Sequence, residues 1–268
     1  MKSTSEDNTS QSRPSQPDHA SAIGGQAGID INCDMGEGIG NDEAIMPFIT
    51  SANIACGYHA GDEETMRTTI QLAMRHGVNI GVHPSFFDRA NFGRTEMKTT
   101  PEEVYQLIRD QLILFKKIAA AGGAGMHHVK PHGALYNMAA RDAALAKAVA
   151  QAVKDFDANL VLFGLSGSVS ISEAKAAGLQ TRSEVFADRT YQDNGSLTPR
   201  SQPNALIEDE TKAIQQVLQM VIKKTVTAVS GKEVPIIAET VCIHGDGKNA
   251  VRFAKAIFQA VNKATEAQ

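Results

Sequence analysis

The sequence predicts an α/β fold in which seven parallel strands close, or nearly close, into a β/α barrel. Three observations predict it. Short apolar runs alternate with amphipathic helical patterns from residue 29 to the end of the chain. Seven such units follow one another, and no Gly-x-Gly-x-x-Gly turn stands after the first, which disfavours an open dinucleotide-binding sheet. Titratable residues also gather at the carboxyl ends of the expected strands, where a parallel barrel displays its functional groups. Helix-linked parallel strands then require right-handed crossovers.

The first strand is expected over residues 29–33, followed by a short helix near 42–49. Residues 52–56 form the second strand, and a helix over 62–76 ends at Gly77, a residue suited to a left-handed cap. The third strand is 79–83. After it, Thr100-Pro101-Glu102-Glu103 supplies an N-cap, a proline at the first helical position and a capping-box glutamate. Val104, Leu107, Ile108, Leu112, Phe115, Ile118 and Ala119 mark the buried stripe of that helix. Strands four to seven are expected at 127–130, 160–164, 180–186 and 236–243, with helices near 141–156, 168–177, 207–224 and 249–262. Residues two apart on a strand share a face, so His128, Lys130 and His132 point one way while Val129 and Pro131 point the other. Three titratable groups on one face are costly in a core and useful in a pocket. His128 lies deepest of the three and is assigned a structural role.

With 268 residues, 42% of them apolar and 21% charged, the chain has enough core-forming material for one globular domain, placed at 29–268. Residues 1–28 are rich in Ser, Gln, Asn, Pro and Gly and are expected to be a disordered tail. Glu6, Asp7 and Asp18 beside a single arginine argue against a targeting peptide there. A net charge of -4 without a basic cluster excludes a nucleic-acid footprint, and no apolar run is long enough to cross a bilayer. A cytoplasmic protein with neither nucleic-acid nor membrane partners is therefore expected. Cys33, Cys56 and Cys242 are odd in number and far apart, which fits reduced core thiols.

The polar rim supplies the functional signal. Asn32 and Asp34, His59, His83, Lys130 and His132, Glu184, Asp188 with Arg189, and His244 with Asp246 stand at or near strand ends. Any one of them has a structural explanation as a helix cap, a hydrogen-bonded imidazole or an ion pair. Six of seven strands ending this way is the pattern of an active-site rim. The loop over 86–97, with Asp88, Arg89, Asn91, Gly93 and Arg94, is long for a βα connection and is expected to close over substrate.

The rim motifs are Asn32-Cys33-Asp34-Met35-Gly36-Glu37-Gly38, Asn53-Ile54-Ala55-Cys56-Gly57-Tyr58-His59-Ala60-Gly61-Asp62, His83-Pro84-Ser85, Val129-Lys130-Pro131-His132-Gly133-Ala134-Leu135-Tyr136-Asn137, Glu184-Val185-Phe186-Ala187-Asp188-Arg189 and His244-Gly245-Asp246. In this order they closely resemble the signatures of the lactam-utilisation LamB/YcsF family, from about residue 29 to the last helix. The resemblance implies a seven-stranded barrel similar to the glycoside hydrolase and polysaccharide deacetylase superfamily. It also implies the chemistry of the A subunit of ATP-dependent 5-oxoprolinase, which is cleavage of 5-oxo-L-proline to L-glutamate with ATP hydrolysis, in a complex with the B and C subunits. The chain departs from the family pattern in two places: Thr95 stands where a second arginine is usual, and Gly247-Lys248 replaces Thr-Pro after Asp246.

A lactam is an unstrained amide with a poor electrophilic carbon, and ATP activates it if the carbonyl oxygen is phosphorylated before water attacks. Such a reaction needs cations around the phosphoryl group, a base for the water and an acid for the ring nitrogen. Asp34, His59, Lys130, His132 and Asp188 are the expected catalytic residues. Lys130 and Arg189 are assigned to phosphoryl and carboxylate charge, His132 and His59 to proton transfer, and Asp34 to a base or to orienting a histidine. Asn32, His83, Arg94, Glu184, Arg189, His244 and Asp246 are expected to bind substrate or phosphate. ATP with Mg2+ is the expected cofactor. No P-loop exists, and His244-Gly245-Asp246-Gly247-Lys248, leading into the last helix, offers backbone N–H groups to phosphate unless a partner chain holds the nucleotide. A protein-bound divalent metal is left open; if one is present, Asp34, His59 and His83 are its expected ligands, by analogy with the deacetylase barrels. Two other functions fit the same residues: a stand-alone metal-dependent deacetylase or amidohydrolase, and a non-catalytic 5-oxoproline-binding subunit.

Overall fold

Alternation along the strands decides the architecture. The computed structural model describes residues 29–245 and 250–266, so the expected tail over 1–28 and the residues Asp246, Gly247 and Lys248 lie outside the described residues. The strands are β1 (Asp30–Met35), β2 (Ser51–Ala55), β3 (Asn79–His83), β4 (His128–Val129), β5 (Val161–Leu165), β6 (Thr181–Phe186), β7 (Thr225–Thr227), β8 (Glu233–Pro235) and β9 (Thr240–Ile243). β1 to β6 pair in parallel in chain order, and β9 joins β6 to β1, closing a barrel of seven strands. The helices are α1 (Asp42–Ile45), α2 (Glu63–His76), α3 (Pro101–Ala121), α4 (Gly133–Ala139), α5 (Ala143–Phe156), α6 (Val169–Ala176), α7 (Glu210–Leu218) and α8 (Ala250–Glu266). Among the described residues no helix is long and apolar enough to cross a membrane.

The local signals behave as their chemistry dictates. Thr100 Oγ1 accepts from the Glu103 N–H while the Glu103 carboxylate accepts from the Thr100 N–H, completing the capping box of α3. Gly77 closes α2 at a φ of 67°. Four expectations are corrected. The strand expected at 236–243 is the four-residue β9, and β8 just before it pairs antiparallel with β7 as a hairpin outside the barrel. The helix expected at 207–224 is α7 followed by a π turn over Gln219–Lys223. The helix expected at 42–49 is α1 plus a 3-10 turn around Pro47. α4 begins at once after His132, in a stretch expected to be loop.

β4 has two residues because Pro131 has no N–H to continue the ladder. The chain nevertheless stays beside β3, with Lys130 N–H donating to Val82 O at 3.0 Å and His132 N–H to Pro84 O at 2.8 Å. His128, Lys130 and His132 therefore share the inward face, as the alternation predicts. On β1 the same alternation turns Asn32 and Asp34 inward, while Ile31, Cys33 and Met35 join the apolar core.

The lower lumen is consequently polar and fully connected. Thr240 donates to Asp30, and Asn32 Nδ2 donates to Thr240 Oγ1 at 2.7 Å. Asn53 Nδ2 donates to Asn32 Oδ1 at 2.8 Å, and His128 Nε2 donates to Asn53 Oδ1 at 2.8 Å. The His128 ring stacks on Phe163 with centroids 4.1 Å apart. Gly81, level with His128 in the register, makes the room: a Cβ there would lie 2.0 Å from His128 Nε2. His128 is structural, as its depth suggests.

Candidate active site

Above this layer a cavity of about 830 Å³ opens at the carboxyl ends of the strands, within the range of small-molecule sites. Its floor is built on Lys130, 2% exposed. The ammonium lies 2.9 Å from Asp34 Oδ1, 2.8 Å from Glu184 Oε1 and 3.1 Å from Cys242 Sγ. Burial pushes the Lys130 pKa down, but Asp34, Cys242 and Glu184 outweigh it and hold the group well above its ordinary value. Asp34 mirrors this: burial raises it, while His83 and Lys130 outweigh burial and keep it well below the carboxylate range. Lys130 is a fixed cation and Asp34 a fixed anion. Glu184 is fully buried, and its contact with Lys130 lies off hydrogen-bond geometry, so neither carboxylate oxygen has a hydrogen-bond partner. The Tyr136 hydroxyl, on α4, approaches the same carboxylate in a contact short of good hydrogen-bond geometry.

On one side stand three imidazoles. His59 and His132 stack with centroids 3.8 Å apart and planes 6° from parallel, and His83 meets His132 edge-on. His83 Nε2 lies 2.8 Å from His132 Nδ1 and 3.3 Å from Asp34 Oδ1. Glu37 Oε1 lies 3.2 Å from His59 Nε2 and 3.7 Å from His132 Nδ1. Burial, then His83, lowers the His59 pKa to about 3, and burial, then His59, lowers His132 well below its ordinary value. The loop expected to act as a lid is folded down on these rings. His132 Nε2 donates to Phe92 O at 2.9 Å, and Phe92 itself adopts a φ of 57°. A Cβ on Gly93 would meet His59 Cβ at 2.8 Å and His132 Cδ2 at 2.9 Å, so only glycine allows this approach. Asp88 braces the loop by accepting from Asn91 Nδ2 and the Thr95 N–H, which gives position 95 a backbone role.

The opposite rim carries a second constellation. His244 Nδ1 lies 2.8 Å from both Asp188 carboxylate oxygens, and its Nε2 lies 3.1 Å from Arg200 Nη2. Arginine only donates, so Nε2 bears the lone pair and Nδ1 the proton given to Asp188. Arg189 spends its donors on its own loop, giving Nη2 to Thr198 O at 2.6 Å and Nε to Ala205 O at 3.3 Å. Burial, then Arg200, lowers its pKa to about 10. Arg94 and Arg200 line the cavity from exposed positions, as does Arg141, which pairs with Glu96.

The sequence profile of the LamB/YcsF family matches residues 29–268. The chain belongs to that family. It is similar to the A subunit of 5-oxoprolinase from Geobacillus kaustophilus, with 56% identity over 237 residues covering 87% of this chain and 93% of the relative. The corresponding 5-oxoprolinase chain of Bordetella pertussis is 55% identical over 240 residues, covering 88% and 95%. Among solved structures, the lactam utilization protein from Thermus thermophilus superposes with a TM-score of 0.82 at 42% identity, covering 88% of this chain and 97% of that one.

In this LamB/YcsF chain the residues singled out from sequence fall into four places. Asp34, Lys130 and Glu184 form the floor, and His59, His83 and His132 the imidazole wall. Asp188, Arg189, His244 and Arg94 occupy the rim, while Asn32 sits in the lower lumen and reaches the floor through Lys130 Nζ at 3.2 Å and through Asn53 Nδ2, which donates to both Asn32 and Asp34. Asp246 lies outside the described residues. Of the residues named for a metal, His59 and His83 converge with Glu37 and His132, and Asp34, 3.3 Å from His83 Nε2, also groups with Cys242 and His244. Sequence reasoning missed Glu37, Tyr136, Arg141 and Arg200. Glu37 had one signal, a carboxylate held between Gly36 and Gly38 inside the first rim motif.

Proposed function

We propose that this chain is the A subunit of an ATP-dependent 5-oxoprolinase that hydrolyses the lactam of 5-oxo-L-proline to L-glutamate together with the B and C subunits. One observation carries the reading: a single cavity whose walls change character with depth. Arg94, Arg141 and Arg200 line its mouth, which suits a nucleotide triphosphate carried with Mg2+. Asp34 and Lys130, backed by Glu184, form its floor, which suits a small ring with both donors and acceptors. The relatives named for 5-oxoprolinase support the substrate.

In this reading the lactam oxygen attacks the γ-phosphorus of ATP and ADP departs. The Lys130 ammonium, held by two carboxylates and unable to act as a base, balances the negative charge that gathers near the floor. Water then adds to the activated carbon and the C–N bond breaks, the ring nitrogen taking a proton. A second water releases phosphate from the resulting acyl phosphate. The depressed pKa of His59 makes it a poor base, so proton transfer moves to His244, oriented by Asp188. Arg200, on turning toward phosphate, frees the His244 Nε2 lone pair for the attacking water.

The test is ATP-dependent release of glutamate from 5-oxoproline, measured for the chain alone and with candidate B and C subunits. Turnover that requires ATP and the partners is expected. Hydrolysis of acetylated sugars or amides without ATP overturns the reading in favour of a stand-alone amidohydrolase.

A further inference from the structure

Hydrogen-bond bookkeeping fixes the tautomers of the imidazole wall. His83 Nδ1 lies 2.7 Å from Lys130 O, and His132 Nε2 lies 2.9 Å from Phe92 O. A carbonyl only accepts, so both nitrogens carry protons. His59 Nδ1 lies 2.9 Å from Ser85 Oγ, whose own proton goes to Phe86 O at 2.8 Å, so His59 Nδ1 also donates. Drawn as neutral rings, each is left with one lone pair, on His83 Nε2, His132 Nδ1 and His59 Nε2, with Asp34 Oδ1 a further anion 3.3 Å from His83 Nε2. These turn inward. The first two face each other at 2.8 Å, and the third faces Glu37 Oε1 at 3.2 Å.

Lone pairs and carboxylate oxygens at such distances repel unless positive charge lies among them. Two protons or one divalent ion supply the same charge. Two protons would put two imidazolium charges into a buried cluster whose three ring centroids lie 3.8–5.5 Å apart. One ion uses the donors as they stand. Tetrahedral ligands at zinc distances are roughly 3.3–3.4 Å from one another. The separations here, 2.8, 3.2 and 3.7 Å, bracket that spacing, and one ligand atom from each of the four residues lies within 4.8 Å of the others. Outward N–H donors that lock each ring are the usual support of imidazole ligands.

We propose that Glu37, His59, His83 and His132 bind one divalent ion of the zinc type, with Lys130 O, Phe92 O and Ser85 Oγ as the outer acceptors that orient the rings. Three imidazoles and one carboxylate favour zinc or cobalt over magnesium, which demands oxygen ligands. Glu37, His83 and His132 line the cavity, so the ion faces the substrate space. Glu37 stands between Gly36 and Gly38, with φ of 70° and 78°, and is the ligand able to swing aside and yield a coordination position. Bound there, such an ion supplies Lewis acidity toward a lactam or phosphoryl oxygen. That role rests on the 5-oxoprolinase reading; the binding itself does not.

The experiment is a titration of the untagged, chelator-treated full-length chain with Co2+ at neutral pH, read by visible absorption and competed with Zn2+. One equivalent bound with a four-coordinate spectrum is expected. Glu37→Gln and His59→Asn should each weaken binding at least tenfold. If either variant fails to fold, Ser85→Ala keeps all four ligands, removes only the acceptor on His59 and should weaken binding roughly tenfold. Folded wild-type chain that binds neither ion, or binding unchanged in the folded variants, overturns the proposal. Binding that persists in a chain without lactam hydrolysis overturns only the proposed function.

Discussion

The lower and upper halves of the barrel lumen are both lined by buried polar residues and differ in hydrogen-bond accounting. Below, Asp30, Thr240, Asn32, Asn53 and His128 form one chain in which each side-chain donor finds an acceptor. Above, three imidazole lone pairs and a carboxylate converge, and Glu184 and Tyr136 carry buried oxygens without hydrogen-bond partners. A satisfied network specifies a structure, whereas a surplus of acceptors asks for something from outside. The identity of a buried polar residue says little about its role; its unspent lone pairs say more.

Lys130 joins the two halves, and its removal should produce the largest effect. Lys130→Met leaves Asp34 and Glu184 as buried carboxylates without their shared cation, so we expect a loss of about 3–5 kcal/mol in urea unfolding followed by circular dichroism. A loss below about 1 kcal/mol would mean that the pair behaves as a solvated surface contact, and the division into layers would not hold.

In the lower half, Gly81→Ala tests whether saturation also means tight packing. A Cβ there collides with the His128 ring, which is held by Asn53 and Phe163, so the collision cannot be relieved by a simple rotation. We expect a cost of about 1–3 kcal/mol in the same assay, and a wild-type midpoint would show that His128 is loosely held.

Most of the upper half was legible in the sequence, and of the lower half only Asn32 and His128. Period-two alternation across His128, Lys130 and His132 survives because the chain keeps its ladder to Val82 and Pro84 past the proline. Glu37 escaped because Gly36, at a φ of 70°, ends the strand parity that placed Asn32 and Asp34. Arg200 escaped for a different reason: it arrives on an irregular loop held by Arg189 through the Thr198 and Ala205 carbonyls, and no periodicity marks such a loop. Tyr136 was read only as part of a motif because α4, seven residues long, is too short to show an amphipathic pattern. The β7–β8 hairpin, with three residues in each strand, falls below the same threshold.

At the rim, acid should reveal the Asp188–His244 pair. Burial raises the Asp188 carboxyl, but His244, then Arg200 and Arg189, outweigh burial and hold it below its ordinary 3.8. With the folded value depressed, the unfolded chain takes up the proton first as pH falls. The stabilisation is therefore complete above about pH 4 and disappears as pH drops through the folded value. The stability gap between wild type and Asp188→Asn should narrow on acidification across that window, measured by urea midpoints at successive pH values. A gap independent of pH would show that Asp188 acts through packing alone.

The smallest effect on stability should come from Tyr136→Phe, which for that reason separates the two halves most cleanly. Its hydroxyl is buried beside Glu184 in a contact short of good hydrogen-bond geometry, so deleting the oxygen removes a desolvated group at little cost, and stability should stay within about 0.5 kcal/mol of wild type. If the unspent oxygens of Tyr136 and Glu184 are kept for the ring nitrogen and carboxylate of the substrate, the same change should raise KM for 5-oxoproline roughly three- to tenfold, with kcat less affected. Loss of stability with an unchanged KM would place Tyr136 with the saturated lower network.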